Sequence, residues 1–75
     1  TLNGCPTVRQ GARGGITRLI QERLAQVYKI GIGTAGADGI FGSATKAAVM
    51  EFQKQKRLSI DGIVGKNTWR ALLGL

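Results

Sequence analysis

The chain has 75 residues, 43% hydrophobic and 20% charged, with one proline; a length about half that of a ~150-residue domain excludes a second domain, and the apolar content excludes a disordered tail. Eleven Lys and Arg against four Asp and Glu give a formal charge of +7, which favours an anionic partner such as nucleic acid, anionic lipid or an acidic wall polymer, or else a soluble basic surface. The basic residues, from Arg9 to Arg70, are spread along the chain, unlike the clustered stripe of a nucleic-acid reader.

The opening, TLNGCPTVRQ, has neither a basic n-region nor an apolar h-region, and no stretch reaches ~18 apolar residues, so no export signal or membrane span is expected within this segment. Ile16, Leu19, Ile20, Leu24, Val27 and Tyr28 follow three-and-four spacing, which predicts a first helix over 15–28. The run KIGIGTAGADG carries four glycines in eleven residues and predicts a loop. Thr45, Ala48, Val49 and Phe52 mark a second helix over about 43–56, and Val64, Thr68, Leu72 and Leu75 a third over about 66–73. No run of alternating β-branched or aromatic residues signals a strand. The expected fold is therefore all-α: a compact three-helix domain with glycine-rich loops, filling residues 1–75 with its core at about 6–73.

An internal repeat organises the second half. DGIFGSATKAAVMEF (38–52) aligns without gaps on DGIVGKNTWRALLGL (61–75), with six of fifteen positions identical. Each copy reads as a turn followed by a helix. Asp38 or Asp61 accepts from loop amides, Gly39 or Gly62 supplies a positive φ, and Ile40 or Ile63 is expected to bury its side chain. Gly42 or Gly65 then precedes the helix, leaving first-turn amides open to solvent or ligand. Thr45 and Thr68 fall in those first turns, with hydroxyls free to bond locally. Neither copy can bury its face alone, so the two are expected to pack against the first helix.

With RQGARGGITRLIQERL (9–24), DGIFGSATKAAVMEFQ (38–53) and LSIDGIVGKNTWRALL (58–73) in order, the chain resembles the small helical peptidoglycan-binding module attached to cell-wall amidases, muramidases, carboxypeptidases and phage endolysins. The match runs from about Pro6 to Leu73. It departs from the family at Ser43 and Lys66, where Pro is frequent, and at Arg57, where Gly often makes a left-handed helix ending. At Thr17 a Val is frequent, and Ile16 and Leu19 are apolar where polar residues are frequent, so helix one is expected either to be rotated slightly or to expose an extra apolar edge. The resemblance implies non-catalytic binding of peptidoglycan, both glycan strand and stem peptide, through a shallow groove, with anionic wall polymers as further partners. It implies a monomeric module outside the cell, bacterial or phage-encoded, serving a wall-degrading or wall-remodelling enzyme in a longer chain.

The residues bear on chemistry separately. Cys5 is the only cysteine and His is absent, so an internal disulfide, a Cys/His zinc site and a His-based triad are excluded; Cys5 reads as a spare thiol. No metal or cofactor is expected. Glycoside hydrolysis needs two facing carboxylates; the only acids are Glu22, Asp38, Glu51 and Asp61, and Asp38 and Asp61 sit in equivalent turns that suit structure better than two catalytic roles. Ser43 and Ser59 have no His to activate them, so no catalytic residue is expected.

A wall-binding surface needs stacking faces for sugar and donors for carboxylate. Trp69 aligns with Lys46 and either stacks on ligand or packs between helices with only its N–H at the surface. Phe52 belongs to the core, whereas Phe41 and Tyr28 fit either core or groove. Gly42, Ser43, Gly65 and Lys66 bring helix-start amides that either face a ligand carboxylate, with Lys66 adding a charge, or are satisfied by Asp38, Asp61, Thr45, Thr68 or water. Two readings from other classes stay open: a nucleic-acid-binding helical domain and a protein-docking module of the same fold. Against the former, the Arg57–Gly65 connection exceeds the three or four residues of a helix-turn-helix turn.

Overall fold

The computed structural model describes residues 6–74; Cys5, read as a spare thiol, and Leu75, assigned to the third apolar face, lie outside the described residues. Helices α1 (Gly15–Glu22), α2 (Ser43–Gln55) and α3 (Lys66–Leu72) form in that order, and a π-helical turn, Arg23–Val27, continues α1. Among the described residues there is no strand, only two isolated antiparallel bridges, Val8 with Val64 and Arg13 with Ile40.

The first helix departs most from its sequence pattern. Its inner face is Thr17, Ile20, Gln21 and Leu24, all buried, while Ile16, Leu19 and Val27 are 46%, 40% and 50% exposed. The expected single helix over 15–28 ends at Glu22 because the backbone widens into the π turn, in which the Tyr28 N–H reaches back to Arg23 O at 3.3 Å. That widening turns Tyr28 toward the end of α3, where its hydroxyl donates to Ala71 O at 2.7 Å. Arg23 joins it, donating from Nη2 to Leu72 O at 3.0 Å. The two side chains satisfy carbonyls that the helix end leaves without partners, and the guanidinium meets the negative end of the α3 dipole.

Helix α2 buries Thr45, Ala48, Val49, Phe52 and Gln53. It closes in a Schellman arrangement: Leu58 N–H donates to Gln53 O at 2.8 Å and Arg57 N–H to Lys54 O at 3.2 Å, with Arg57 in the left-handed region at φ 58. Helix α3 turns Thr68, Trp69 and Leu72 inward. Trp69 enters a core shared with Ile20, Leu24, Phe41, Val49 and Phe52.

The segment before α1 lies across both repeated loops. Val8 exchanges backbone hydrogen bonds with Val64 at 3.1 and 2.7 Å. Phe41 N–H donates to Ala12 O and Gly11 N–H to Phe41 O, both at 2.9 Å. Phe41 and Val64 hold the same place in the two repeats, so one segment, turning at Gln10 and Gly11, pairs with the equivalent residue of each. Loop carbonyls and amides that would otherwise be buried unpaired find their partners here.

Candidate functional site

Each repeated turn is built from one aspartate, one glycine and one distant glutamine. Ile40 N–H donates to Asp38 Oδ1 at 3.0 Å and Ile63 N–H to Asp61 Oδ1 at 2.9 Å, an Asx turn in both cases. Gly39 and Gly62 stand at φ 81 and 72, a region costly to side chains. Gly62 has a second reason, since a Cβ there would come within 2.9 Å of Lys46 Cγ.

The glutamines complete the turns. Gln21 Nε2 donates to Thr45 Oγ1 at 2.9 Å, to Ile40 O at 3.0 Å and to Asp38 Oδ1 at 3.2 Å, while its Oε1 accepts from Gly39 N–H at 2.8 Å. Gln53 repeats the pattern: its Nε2 donates to Asp61 Oδ1 at 2.9 Å, Ile63 O at 3.0 Å and Thr68 Oγ1 at 3.1 Å, and its Oε1 accepts from Gly62 N–H at 3.0 Å. The Thr45 and Thr68 hydroxyls are thus engaged by distant amides. Both carboxyls are held below their ordinary range, Asp38 first by the Ile40 N–H and then by Gln21. For Asp61 the Ile63 N–H acts first, then Gln53, with the charge of Arg9 adding to the effect.

Outside each turn lies a shallow cleft. The first, about 230 Å³, is walled by Ile32, Ala35, Ile40 and Ala44, with Gly42 and Ser43 along it. The second, about 250 Å³, runs past Leu58, Ser59, Gly65, Lys66 and Asn67. They share no lining residue. The preceding residues, Gly42 and Gly65, place no side chain on the first-turn amides of α2 or α3. A third, more apolar hollow of about 280 Å³ lies along α2 between Met50, Lys54 and Ile60.

Gly42 and Ser43 therefore line one cleft, Gly65 and Lys66 the other. The three candidate aromatics, Tyr28, Phe41 and Trp69, line neither. Trp69 is 2% exposed and Phe41 1% exposed, so neither ring offers a stacking face. The Trp69 indole donates to Pro6 O at 2.7 Å; the segment before α1 covers the ring that alignment with Lys46 places toward solvent. Tyr28 is half-buried, edge-on to Phe52 with ring centroids 4.8 Å apart, and Lys56 Nζ lies 5.1 Å from its ring centroid. Ile40, expected inside, is 47% exposed, because the Asx turn aims it at the first cleft. Sequence reasoning missed Gln21 and Gln53; the available signal was that each is a polar residue on an otherwise inward helix face.

Among the described residues the one ion pair is Arg18 with Glu22, at 3.5 Å on the surface of α1, so most of the basic side chains face solvent without a carboxylate. No group of three metal-ligating side chains occurs among the described residues. No helix is long and apolar enough to cross a membrane.

Comparison with known proteins bears on this frame. The sequence profile of a family described as a peptidoglycan binding domain matches residues 13–72. The zinc D-Ala-D-Ala carboxypeptidase of Streptomyces albus G is 40% identical over 78 residues, covering 99% of this chain and 30% of that protein. The type VI secretion system spike protein VgrG3 of Vibrio cholerae is 44% identical over 77 residues, covering 85% of this chain and 7% of that one. The chain thus spans less than a third of either relative. The crystal structure of a Burkholderia AP3 phage endolysin superposes with a TM-score of 0.81 at 39% identity, over 89% of this chain and 24% of the endolysin.

Proposed function

Because the chain belongs to the peptidoglycan-binding domain family, we propose that it acts without catalysis, holding an attached wall-degrading or wall-remodelling enzyme to peptidoglycan outside the cell. The observation that supports this most is the pair of clefts opening beside the two repeated turns, each on a frame held by buried hydrogen bonds. Such a frame pre-organises a surface, so little ordering is needed when ligand arrives. Lys66 and Asn67 in the second cleft suit a stem-peptide carboxylate. Gly42 and Ser43 edge the first, and Gly65 the second. Phe41 and Trp69 are buried in the core and offer no stacking platform, and Tyr28 lines neither cleft.

The basic surface adds a weaker, salt-sensitive attraction to anionic wall polymers. It does not favour the helix-turn-helix reading, since α2 ends at Gln55 and α3 begins only at Lys66, beyond the three or four residues of that turn. The test is co-sedimentation with purified, protein-free sacculi. The chain is expected in the pellet, with neither muropeptide nor reducing sugar released. A chain that stays in the supernatant overturns the binding reading; soluble digestion products overturn its non-catalytic part.

A further inference from the structure

Resting on the wall-binding reading, we infer that the first cleft is a subsite for one neutral N-acetylhexosamine unit of the glycan strand and is closed to the carboxylates of the stem peptide. Charge complementarity separates the two clefts. Each cleft carries its turn aspartate, Asp38 in the first and Asp61 in the second; the second offsets it with Lys66 and adds Asn67, whereas the first has no basic residue in its lining. A carboxylate entering the first cleft meets a like charge and no cation, which disfavours it. A neutral unit meets no such opposition.

The walls favour the same occupant. Ile32, Ala35, Ile40 and Ala44 present methyl and methylene surface, against which the C–H face of a sugar and an acetamido methyl group can pack. Ser43, exposed at the same cleft, offers a hydroxyl that both donates and accepts. Ile40 is the part built for this. Its N–H donates to Asp38 at 3.0 Å and its carbonyl accepts from Gln21 at 3.0 Å, so the backbone is held from both sides while the side chain remains 47% exposed. A cleft of about 230 Å³ falls below the ~300 Å³ at which pockets take drug-sized ligands, so it fits a single unit of a polymer. With no aromatic platform in its lining, the cleft binds its one unit weakly, and the second cleft, engaging the same polymer, adds to retention on the wall.

Amide chemical shifts of the intact chain, titrated with chitotetraose, test this. Chitotetraose is a linear oligomer of N-acetylglucosamine; cellotetraose has the same linkage without acetamido groups. Chitotetraose is expected to shift Ala35, Gly36, Ser43 and Ala44, and cellotetraose to leave them in place. Ile40→Ser is expected to weaken chitotetraose binding by about fivefold through loss of apolar contact. Ile60→Ser, at an isoleucine 51% exposed on the third hollow, is expected to change nothing. Equal shifts from both sugars, shifts confined to Ser59 and Asn67, or equal loss from both isoleucine variants overturns the assignment. So does silence toward chitotetraose in a chain that still pellets with sacculi, an outcome that leaves wall binding itself intact. Failure to pellet removes the wall-binding reading on which the assignment rests.

Discussion

Gln53 holds Thr68 across the junction of α2 and α3, its Nε2 donating to the threonine Oγ1 at 3.1 Å while its Oε1 accepts from the Gly62 amide at 3.0 Å. Gln21 stands in the same relation to Thr45 and Gly39. Both glutamines are 1% exposed, so nothing but protein is available to replace these bonds. Gln53→Leu keeps the volume and leaves the Gly62 amide and the Ile63 carbonyl to search for partners. Each buried orphan costs ~1–3 kcal/mol, so a loss of about 3 kcal/mol is expected. A small domain without staples has only ~3–5 kcal/mol in all, which leaves the variant marginally folded. Urea unfolding followed by Trp69 fluorescence measures it, and a midpoint equal to that of the parent contradicts the account.

Arg57 and Lys29 are the described non-glycine residues at positive φ, at 58 and 59. A side chain in that region costs roughly 1–2 kcal/mol, and glycine removes the clash while giving back part of the gain as unfolded-state entropy. Arg57→Gly is therefore expected to stabilise the chain by about 1 kcal/mol, raising the melting temperature without altering the Schellman bonds to Gln53 and Lys54. A lower melting temperature speaks against strain at that position.

Acid should weaken the domain through its turns. The Asp38 and Asp61 carboxyls are both held below the ordinary value of 3.8, chiefly by the Ile40 and Ile63 amides. With folded pKa values depressed, the unfolded chain binds protons first as pH falls, so this contribution is complete above ~pH 5 and is lost progressively below ~pH 4. The melting temperature is expected to hold steady from neutral pH down to that point and then fall. In the double variant Asp38→Asn, Asp61→Asn the fall is shallower, because the amides no longer lose a charged acceptor. Identical acid limbs for parent and variant would rule the two turns out as its cause.

The burial of Trp69 changes how a substitution there should be read. Trp69→Ala empties a core position and is expected to cost about 3–5 kcal/mol, so any loss of wall retention follows from unfolding. Trp69→Phe keeps most of the ring and forfeits the bond to Pro6; it is expected to lower the melting temperature yet leave retention on sacculi unchanged. Retention lost at a temperature where the Phe variant is folded returns the ring to the binding surface.

The repeat made the turns legible from sequence, since Asp, Gly and Ile recur at matching places and only a narrow set of backbone angles suits them. Burial around them was less legible. Thr17 and Gln21 lie on the inner face of α1 while the apolar Ile16 and Leu19 lie outside, and a hydrophobic pattern ranks those four the wrong way round. The Trp69 indole bonds to the carbonyl of Pro6, 63 residues away in sequence, and no local periodicity carries such a contact. The π turn after α1 is equally silent in the spacing of apolar residues, because it changes the period within a single turn. The clefts were half legible: Gly42, Ser43, Gly65 and Lys66 followed from the helix starts, whereas Ile40, Ala35 and Asn67 needed the folded loops.

Salt distinguishes the two kinds of attraction. The described cations other than Arg18 have no carboxylate within ion-pair distance, so their attraction to wall anions acts through solvent and is screened beyond ~8 Å at physiological ionic strength. The contacts proposed inside the clefts, apolar against Ile32 and Ile40 and hydrogen-bonded at Ser43 and Asn67, would depend far less on ionic strength. Retention on sacculi is therefore expected to fall only in part at ~0.5 M salt, where nonspecific binding to DNA largely vanishes. Lys66→Ala removes a charge from the second cleft and Lys54→Ala one from the solvent side of α2. In low salt both should weaken retention, whereas in high salt only Lys66→Ala should still differ from the parent. Should retention disappear entirely at high salt, or the two lysine variants stay equal there, the clefts contribute nothing that diffuse charge does not.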